Sequence, residues 1–248
     1  MKVLVFNSYT TGQKHKLDNP LSSEDCSSPD RLKARIKELC GFNAEGWYDK
    51  DRDYRLPAAE MFTGPLFIQL REGLKQIREH EQYDKNTIDL YFPWYYCRVD
   101  GKMIPVGEND TIVPFDTAPL HELEVLEFGG NGVPERTVDL LESYDLVISL
   151  LRQDDIESLQ RVFEVERAVT MVFLLPKSQR KAVNEDLPNV HVVETGRDLQ
   201  KSLRTSNYAL KGVVIRRLCE AACRDVFQVF EEVKQNPQRL IEIVLNKS

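Results

Sequence analysis

The order of apolar and polar positions along the chain predicts alternating strands and helices. Lys2–Phe6 is a short apolar run that is followed by a turn-rich segment, residues 7–12, which is the pattern of a buried parallel strand. Residues 28–41 and 64–80 carry apolar positions at helical spacing. A second apolar run, Thr87–Phe92, completes the pattern. The first third of the chain therefore predicts a strand, two helices and a further strand, with a long polar and aromatic insertion between the helices.

The second half of the chain alternates helix and strand more regularly. Three helix–strand pairs follow one another at residues 134–151, 154–175 and 178–193. This alternation favours a parallel sheet with helices on both faces. We predict an α/β fold, namely a three-layer, mostly parallel sheet with flanking helices. The Asp100-Gly101 pair between apolar residues adds a small β-hairpin excursion.

The residues after Arg197 predict only helices. Residues 210–234 carry a broad apolar stripe, and a final short helix follows. We divide the chain into an α/β nucleotide- or nucleobase-binding domain, residues 1–195, and C-terminal helices, residues 196–248. The stripe is expected to pack against the sheet, and the alternative is a homodimer through these helices.

Composition narrows the class of protein. The chain has 248 residues, of which 42% are hydrophobic, so it can bury a substantial core. The net charge of −7 argues against global steering toward polyanions, although it leaves a local basic patch open. No apolar run approaches the roughly 20 residues of a membrane span. The five scattered cysteines predict no disulfide framework and no zinc site, and we expect a cytoplasmic protein without metal or cofactor.

The loop after the first strand is the first candidate site. Asn7, Ser8, Thr10, Thr11 and Lys14 follow a strand whose carboxyl end lies where ligands bind in open α/β sheets. Hydroxyls, an amide and a lysine can donate hydrogen bonds to a phosphate or to a base edge. A solvated turn in which Ser and Thr bind their own backbone is the alternative.

The start of the second helix is the second candidate. Glu60 lies close to a helix N-terminus, and Thr63 and Gly64 precede a proline that suits the first helical position. On one hypothesis Thr63 and Glu60 only cap the helix. On the other, the Glu60 carboxylate and the amides after Gly64 face the same crevice as the first loop.

Two later segments complete the candidates. Trp94, Tyr95 and Arg98 lie in an aromatic stretch after a strand, where rings can stack on a nucleobase and the arginine can pair with a phosphate. Aromatic core or hairpin packing is the alternative there. Asp116 lies in a proline-rich loop, where it can accept a proton or stabilise a cationic centre, or simply cap a turn.

Three of these segments together resemble a family. The shared pattern is a strand with a polar loop, a Pro-Ala-x-x-Met/Leu-Tyr/Phe-Thr-Gly-x-x-Phe segment that opens a helix, and a Pro-Tyr/Phe-Asp segment. The chain resembles the bacterial domains related to the peroxide-stress protein YaaA and, more remotely, the uracil-DNA-glycosylase-like domain of archaeal tRNA-guanine transglycosylases. The residues that carry the resemblance are Asn7, Ser8, Lys14, Pro57, Ala58, Ala59, Glu60, Phe62, Thr63, Gly64, Phe67, Pro114, Phe115 and Asp116. The resemblance implies a connection with nucleic acids or nucleobases.

The residues and the resemblance predict a protein that binds a nucleotide, nucleobase or nucleic acid in a strand-end crevice. In an enzyme, Glu60 and Asp116 would be the catalytic pair and would hydrolyse a glycosidic bond. The alternative is a non-catalytic regulatory or defence-associated protein that senses a nucleotide and transmits the signal through its C-terminal helices. A third hypothesis is a scaffold that recognises a protein partner through the aromatic stretch.

Overall fold

The computed structural model describes residues 1–8, 12–22, 24–81, 83, 87–93, 105–115, 133–164, 167–225 and 228–246. The strands are β1 (Lys2–Phe6), β2 (Cys40–Phe42), β3 (Tyr48–Asp53), β4 (Leu56–Pro57), β5 (Thr87–Phe92), β6 (Val106–Gly107), β7 (Thr111–Ile112), β8 (Leu146–Ser149), β9 (Thr170–Leu175) and β10 (Val190–Glu194). The α-helices are α1 (Pro29–Leu39), α2 (Ala58–Met61), α3 (Pro65–Arg78), α4 (Val133–Glu142), α5 (Gln153–Ser158), α6 (Gln160–Phe163), α7 (Arg197–Ser202), α8 (Leu210–Arg224), α9 (Gln228–Gln235) and α10 (Arg239–Leu245). Within these ranges, 3₁₀ helices are formed by Glu24–Ser27 and Lys177–Ala182.

The chain forms two compact units. The first comprises Met1–Ser8, Pro65–Leu90 and Val138–Ser248, and the second comprises Tyr9–Gly64 and Tyr91–Thr137. The units are defined by spatial packing, and the division at residue 195 stays a prediction. Helices α7 to α10 belong to the first unit, together with the parallel strands.

The sheet has the strand order β10-β9-β8-β1-β5-β6. Strands β1, β8, β9 and β10 pair in parallel, whereas the last two residues of β5 pair antiparallel with β6 in the second unit. All four residues of β8 and four of the five in β1 are buried, which is expected of strands covered on both faces. The predicted α/β fold class, a mostly parallel sheet with flanking helices, is confirmed.

Local sequence explains several helix boundaries. Helix α1 begins where the Ser28 side chain accepts a hydrogen bond from the Arg31 amide at 3.2 Å, with Pro29 in the first helical turn. Helix α3 begins at Pro65, as predicted. The predicted helix at residues 154–164 is instead two short helices, α5 and α6. Leu159 interrupts it with φ −104° and ψ 18°, outside the helical range.

Part of the predicted insertion between the first two helices is a hairpin. Strands β2 and β3 pair antiparallel, although every residue of β3 except Asp53 is exposed and none is aliphatic. Gly41 has φ +86°, and a Cβ there would lie 2.5 Å from the Asp49 carbonyl oxygen, so a side chain at this position would break the pairing. The hairpin predicted at Asp100-Gly101 lies outside the described residues.

The C-terminal apolar stripe forms two helices, α8 and α9, rather than one. Helix α8 packs against α3 within the first unit, with the two backbones in close approach at Gly73 and Gly212. A Cβ at Gly212 would lie 2.2 Å from the Leu66 carbonyl oxygen, and one at Gly73 would lie 2.7 Å from the Arg216 Cα. No helix in the described part of the chain is long and apolar enough to cross a membrane.

This close approach predicts a large cost for Gly212→Ala. Alanine is better than glycine in a helix by about 1 kcal/mol, but the new methyl group would overlap the Leu66 backbone. We expect the free energy of unfolding to fall by about 2 kcal/mol or more, measured by urea denaturation. The matched control is Gly196→Ala, because a Cβ there meets only the flexible Glu194 carboxylate at 3.3 Å. Equal stability of the two variants would show that α3 and α8 do not pack as closely as described.

Candidate functional site

The order of the strands places a candidate site at the carboxyl ends of β1 and β8. Strand β1 lies between β5 and β8, so the chain places β5 on one side of β1 and then builds β8, β9 and β10 on the other. The direction of winding therefore reverses between β1 and β8. In open α/β sheets, ligands bind at the carboxyl ends of the strands at such a switch point.

Asn7 and Ser8 follow β1 directly and are both buried, with 1% and 6% of their surface exposed. The backbone pairing continues past β8, because the Leu150 amide donates to the Phe6 carbonyl at 2.8 Å. The side-chain nitrogen and oxygen of Asn7 have no hydrogen-bonding partner within the described residues. Since a buried amide without partners costs about 1–3 kcal/mol, this side chain has unused recognition capacity at the switch point.

Ser8 joins the end of β1 to the start of α5. Its hydroxyl donates to the Asp155 carboxylate and accepts a hydrogen bond from the Arg152 amide at 2.9 Å. The same amide lies 3.3 Å from Asp155 Oδ2, and the Arg152 side chain reaches that oxygen at 3.4 Å. Asp155 is only 2% exposed, so its contact with Ser8 is buried, and the network fixes the loop after β8 against the loop after β1.

Lys211 reaches the same loop from α8. Its ammonium donates to the carbonyl oxygens of Leu150 and Leu151 at 3.0 and 2.9 Å. Desolvation lowers the pKa of Lys211 to about 7, with Asp155 acting to raise it and Arg152 to lower it further. The switch point therefore holds an ammonium group that loses its proton near neutral pH.

The structure brings the other predicted segments together in the second unit. The Lys14 amide donates to the Met61 carbonyl at 2.8 Å, and the Thr63 amide donates to the Gly12 carbonyl at 2.9 Å. A Cβ on Gly12 would lie 3.3 Å from the Gly64 nitrogen, so the two segments are in contact.

The third segment joins them through Gln13. Its side chain donates to the Phe115 carbonyl at 2.7 Å and accepts from the Phe115 amide at 3.1 Å. Residues 12–14 are thus hydrogen-bonded both to residues 61–63 and to Phe115.

The predicted site residues therefore fall into three groups. Asn7 and Ser8 lie at the switch point of the first unit, whereas Glu60, Lys14 and Thr63 are exposed in the second unit and Gly64 is part-buried there. The remaining predicted residues lie outside the described residues: Thr10, Thr11, Trp94, Tyr95, Arg98 and Asp116.

Two further residues at the switch point, Asp155 and Lys211, belong to no recognisable sequence motif. Asp155 belongs to an acidic pair at the start of α5, and Lys211 is a single cation in the apolar sequence that opens α8. A charged residue inside an apolar stripe is the one signal of Lys211 in the sequence, and it does not reveal which groups the lysine contacts. Within the described ranges, no three His, Cys, Asp or Glu side chains gather closely enough to hold a metal ion.

The arrangement has the chemistry of a recognition site. It combines a buried amide, which offers one donor and one acceptor group, with a hydrogen-bonded Ser8–Asp155 pair and a part-buried amine. Comparison of the chain with family models, curated proteins and solved structures found no match.

The lowered pKa of Lys211 predicts a pH-dependent stability. Between pH 7 and the ordinary lysine pKa of 10.5, the unfolded chain binds a proton that the folded chain has released. The free energy of unfolding should therefore rise with pH across this window. We expect a rise of about 2 kcal/mol between pH 7 and pH 9, measured by urea denaturation, and Lys211→Met should abolish it.

Lys201→Met, at an exposed lysine of α7, is the matched control and should retain the rise. A rise of the same size in Lys211→Met would assign the effect to another group.

Proposed function

We propose that the chain binds a nucleotide or nucleobase at the carboxyl ends of β1 and β8. The observation that carries this proposal is the Asn7 side chain, which is 1% exposed and has both amide atoms without a partner in the described part of the chain. Asn7 lies at a switch point, which is where open α/β sheets bind ligands. The resemblance to YaaA-related domains points to the same class of ligand.

The chemistry of an amide suits a nucleobase edge. An asparagine donor and acceptor can pair together with a neighbouring acceptor and donor on a base, as in amide recognition of adenine. A buried amide retains the full strength of such bonds because water competes little in a low-dielectric site. We assign the contact with the base edge to Asn7, and we assign to Ser8 the task of holding the loop through Asp155 and Arg152.

One further observation favours a sensor over an enzyme. Lys211 lies on α8 and donates to both carbonyls of the loop that carries the switch point. A ligand that displaces this loop would change the contacts of α8. Hydrolysis of a glycosidic bond by Glu60 and Asp116 is the enzymatic alternative.

We also propose a cytoplasmic location. Cys40 and Cys219 are buried free thiols and Cys223 is a part-buried one, and free thiols are typical of reducing compartments.

The first test measures thermal shift with a panel of nucleobases, nucleosides, nucleotides and short oligonucleotides. Asn7→Leu replaces the amide by an apolar group of similar shape. We expect this variant to keep or gain about 1 kcal/mol of stability, because the unsatisfied amide is removed, and to lose the ligand-induced shift.

Asn189→Leu is the matched control. Asn189 is also buried, but its amide donates to the Val169 carbonyl at 3.2 Å. This variant should lose about 1 kcal/mol of stability and keep the ligand response. A panel that gives no shift with the unmodified chain, or an unchanged shift in Asn7→Leu, would refute the proposal.

The second test separates the sensor from the enzyme. Glu60→Gln and Asp116→Asn are assayed with the ligand that gives the largest shift, and both released base and affinity are measured. A sensor should release no base and change at most in affinity. Base release that both variants abolish while ligand still binds would establish the enzymatic alternative.

A further inference from the structure

The second unit contains a groove between α1 and the β2–β3 hairpin. Its volume is about 1450 Å³, and residues of both elements line it. This exceeds the ~300–1,000 Å³ of ordinary small-molecule sites, so an extended ligand fits it better than a compact one.

Aromatic side chains of the hairpin are exposed at this groove. Trp47 and Tyr48 have 75% and 50% of their surface exposed, and both line the groove. The Phe42 ring, which also lines it, lies 5.4 Å from the Tyr48 ring between centroids. Three neighbouring aromatic side chains on one hairpin form a surface on which planar groups can stack.

Hydrogen bonds hold the turn that carries Trp47. The Trp47 amide donates to the Asn43 side-chain oxygen at 2.8 Å, and the Asn43 amide donates to the Trp47 carbonyl at 2.9 Å. These bonds fix the backbone at the base of the exposed indole.

A second network holds Tyr48. Its hydroxyl donates to Asp53 Oδ2 at 2.7 Å. The Arg55 guanidinium donates two hydrogen bonds to the same carboxylate, at 2.6 and 2.8 Å. The hydrogen bonds from Arg55 lower the pKa of Asp53 to about 2. The carboxylate is therefore ionised at neutral pH and accepts these bonds. The backbone at Trp47 and the Tyr48 ring are therefore ordered before a ligand arrives, which reduces the entropy lost on binding.

The groove is locally cationic, although the whole chain has a net charge of −7. Three carboxylates line it, and each lies within ion-pair distance of an arginine: Asp25 of Arg35, Glu38 of Arg35, and Asp49 of Arg52. The cationic side chains that line it are Arg31, Lys33, Arg35, Lys37, Arg52 and Arg55.

Two of these cations stand apart from the ion pairs. Lys33 and Lys37 are exposed, lie one turn apart on α1, and have no carboxylate partner among the described residues. Four residues along a helix correspond to a rise of about 6 Å, so the two ammonium groups can meet successive negative charges on one ligand.

We propose that this groove binds a single-stranded nucleic acid. Bases stack on the Trp47 and Tyr48 rings, and phosphates meet Lys33 and Lys37. Stacking on an aromatic surface beside cations is the combination by which proteins hold single strands without reading their sequence. An acidic protein segment would satisfy the lysines but would leave the exposed rings without planar partners. The groove and the switch point share no residue.

The test measures fluorescence anisotropy of a labelled 20-nucleotide oligothymidine with the full chain at several salt concentrations. Trp47→Ala should weaken binding about tenfold, because one stacking contact is lost. The double variant Lys33→Gln/Lys37→Gln should also weaken binding. In addition, it should reduce the slope of log K against log salt by about 1.4, since each phosphate contact on a single strand contributes about 0.7.

The matched control is Lys177→Gln/Lys181→Gln, which removes two exposed lysines at the same spacing from the 3₁₀ helix of the first unit. This control should keep the affinity and the salt slope. Circular dichroism of each variant checks that the chain remains folded.

Three results would overturn the proposal. They are no binding at low salt, an equal loss in the control and the groove double variant, and binding of an acidic peptide at the groove in place of the oligonucleotide. Failure of the nucleotide proposal at the switch point would appear separately, as an unchanged thermal shift in Asn7→Leu.

Discussion

The pairing of β1 between β5 and β8 is the constraint on which the first unit depends. Val3 to Phe6 are each no more than 1% exposed, and burial of such apolar side chains contributes roughly 1.5–3 kcal/mol apiece. Buried backbone groups must also find partners, so the strand cannot leave the sheet before its last carbonyl is paired. Leu150 provides that partner by donating to Phe6. The next residues, Asn7 and Ser8, consequently lie buried at the carboxyl end of this central strand.

The same constraint extends to α8. Gly212 brings this helix into contact with the backbone of α3, and the preceding residue, Lys211, holds the carbonyls of Leu150 and Leu151. Two adjacent residues thus tie one helix both to its neighbour and to the switch-point loop. Because close-packed helices have no free volume in which to slide, a displacement of that loop must either move α8 or break the lysine contacts. This geometry is the physical basis for preferring a sensor over an isolated binding pocket.

The strands and helix starts that could be predicted are those whose structure depends on their own residues. Strands β1, β8 and β9 are continuous apolar runs, and Ser28 with Pro29 marks the start of α1. The β2–β3 hairpin was missed because β3 has neither alternating nor aliphatic positions. Its pairing depends on Gly41 at positive φ, which a sequence pattern does not reveal.

The candidate site divides in the same way. Asn7 and Ser8 could be predicted because they follow a buried strand, and that position alone places them at the edge of the sheet. Asp155 and Lys211 could not, since each acquires its role from a contact across long sequence separation: Ser8 to Asp155, and Lys211 to Leu150. The lowered pKa of Lys211 is likewise a property of its buried surroundings and not of the residue type.

The net charge of −7 and the cationic groove are compatible because electrostatic range is short in salt. At physiological ionic strength the Debye length is about 8 Å, so acidic side chains farther away contribute little at the groove. Within it, arginines neutralise the lining carboxylates, and Lys33 and Lys37 determine the local potential. The acidic remainder of the surface slows the approach of a polyanion but does not cancel contacts once it is bound. Binding at the groove should accordingly depend steeply on salt, whereas recognition by the uncharged Asn7 amide should not, and this difference distinguishes the two surfaces in one titration.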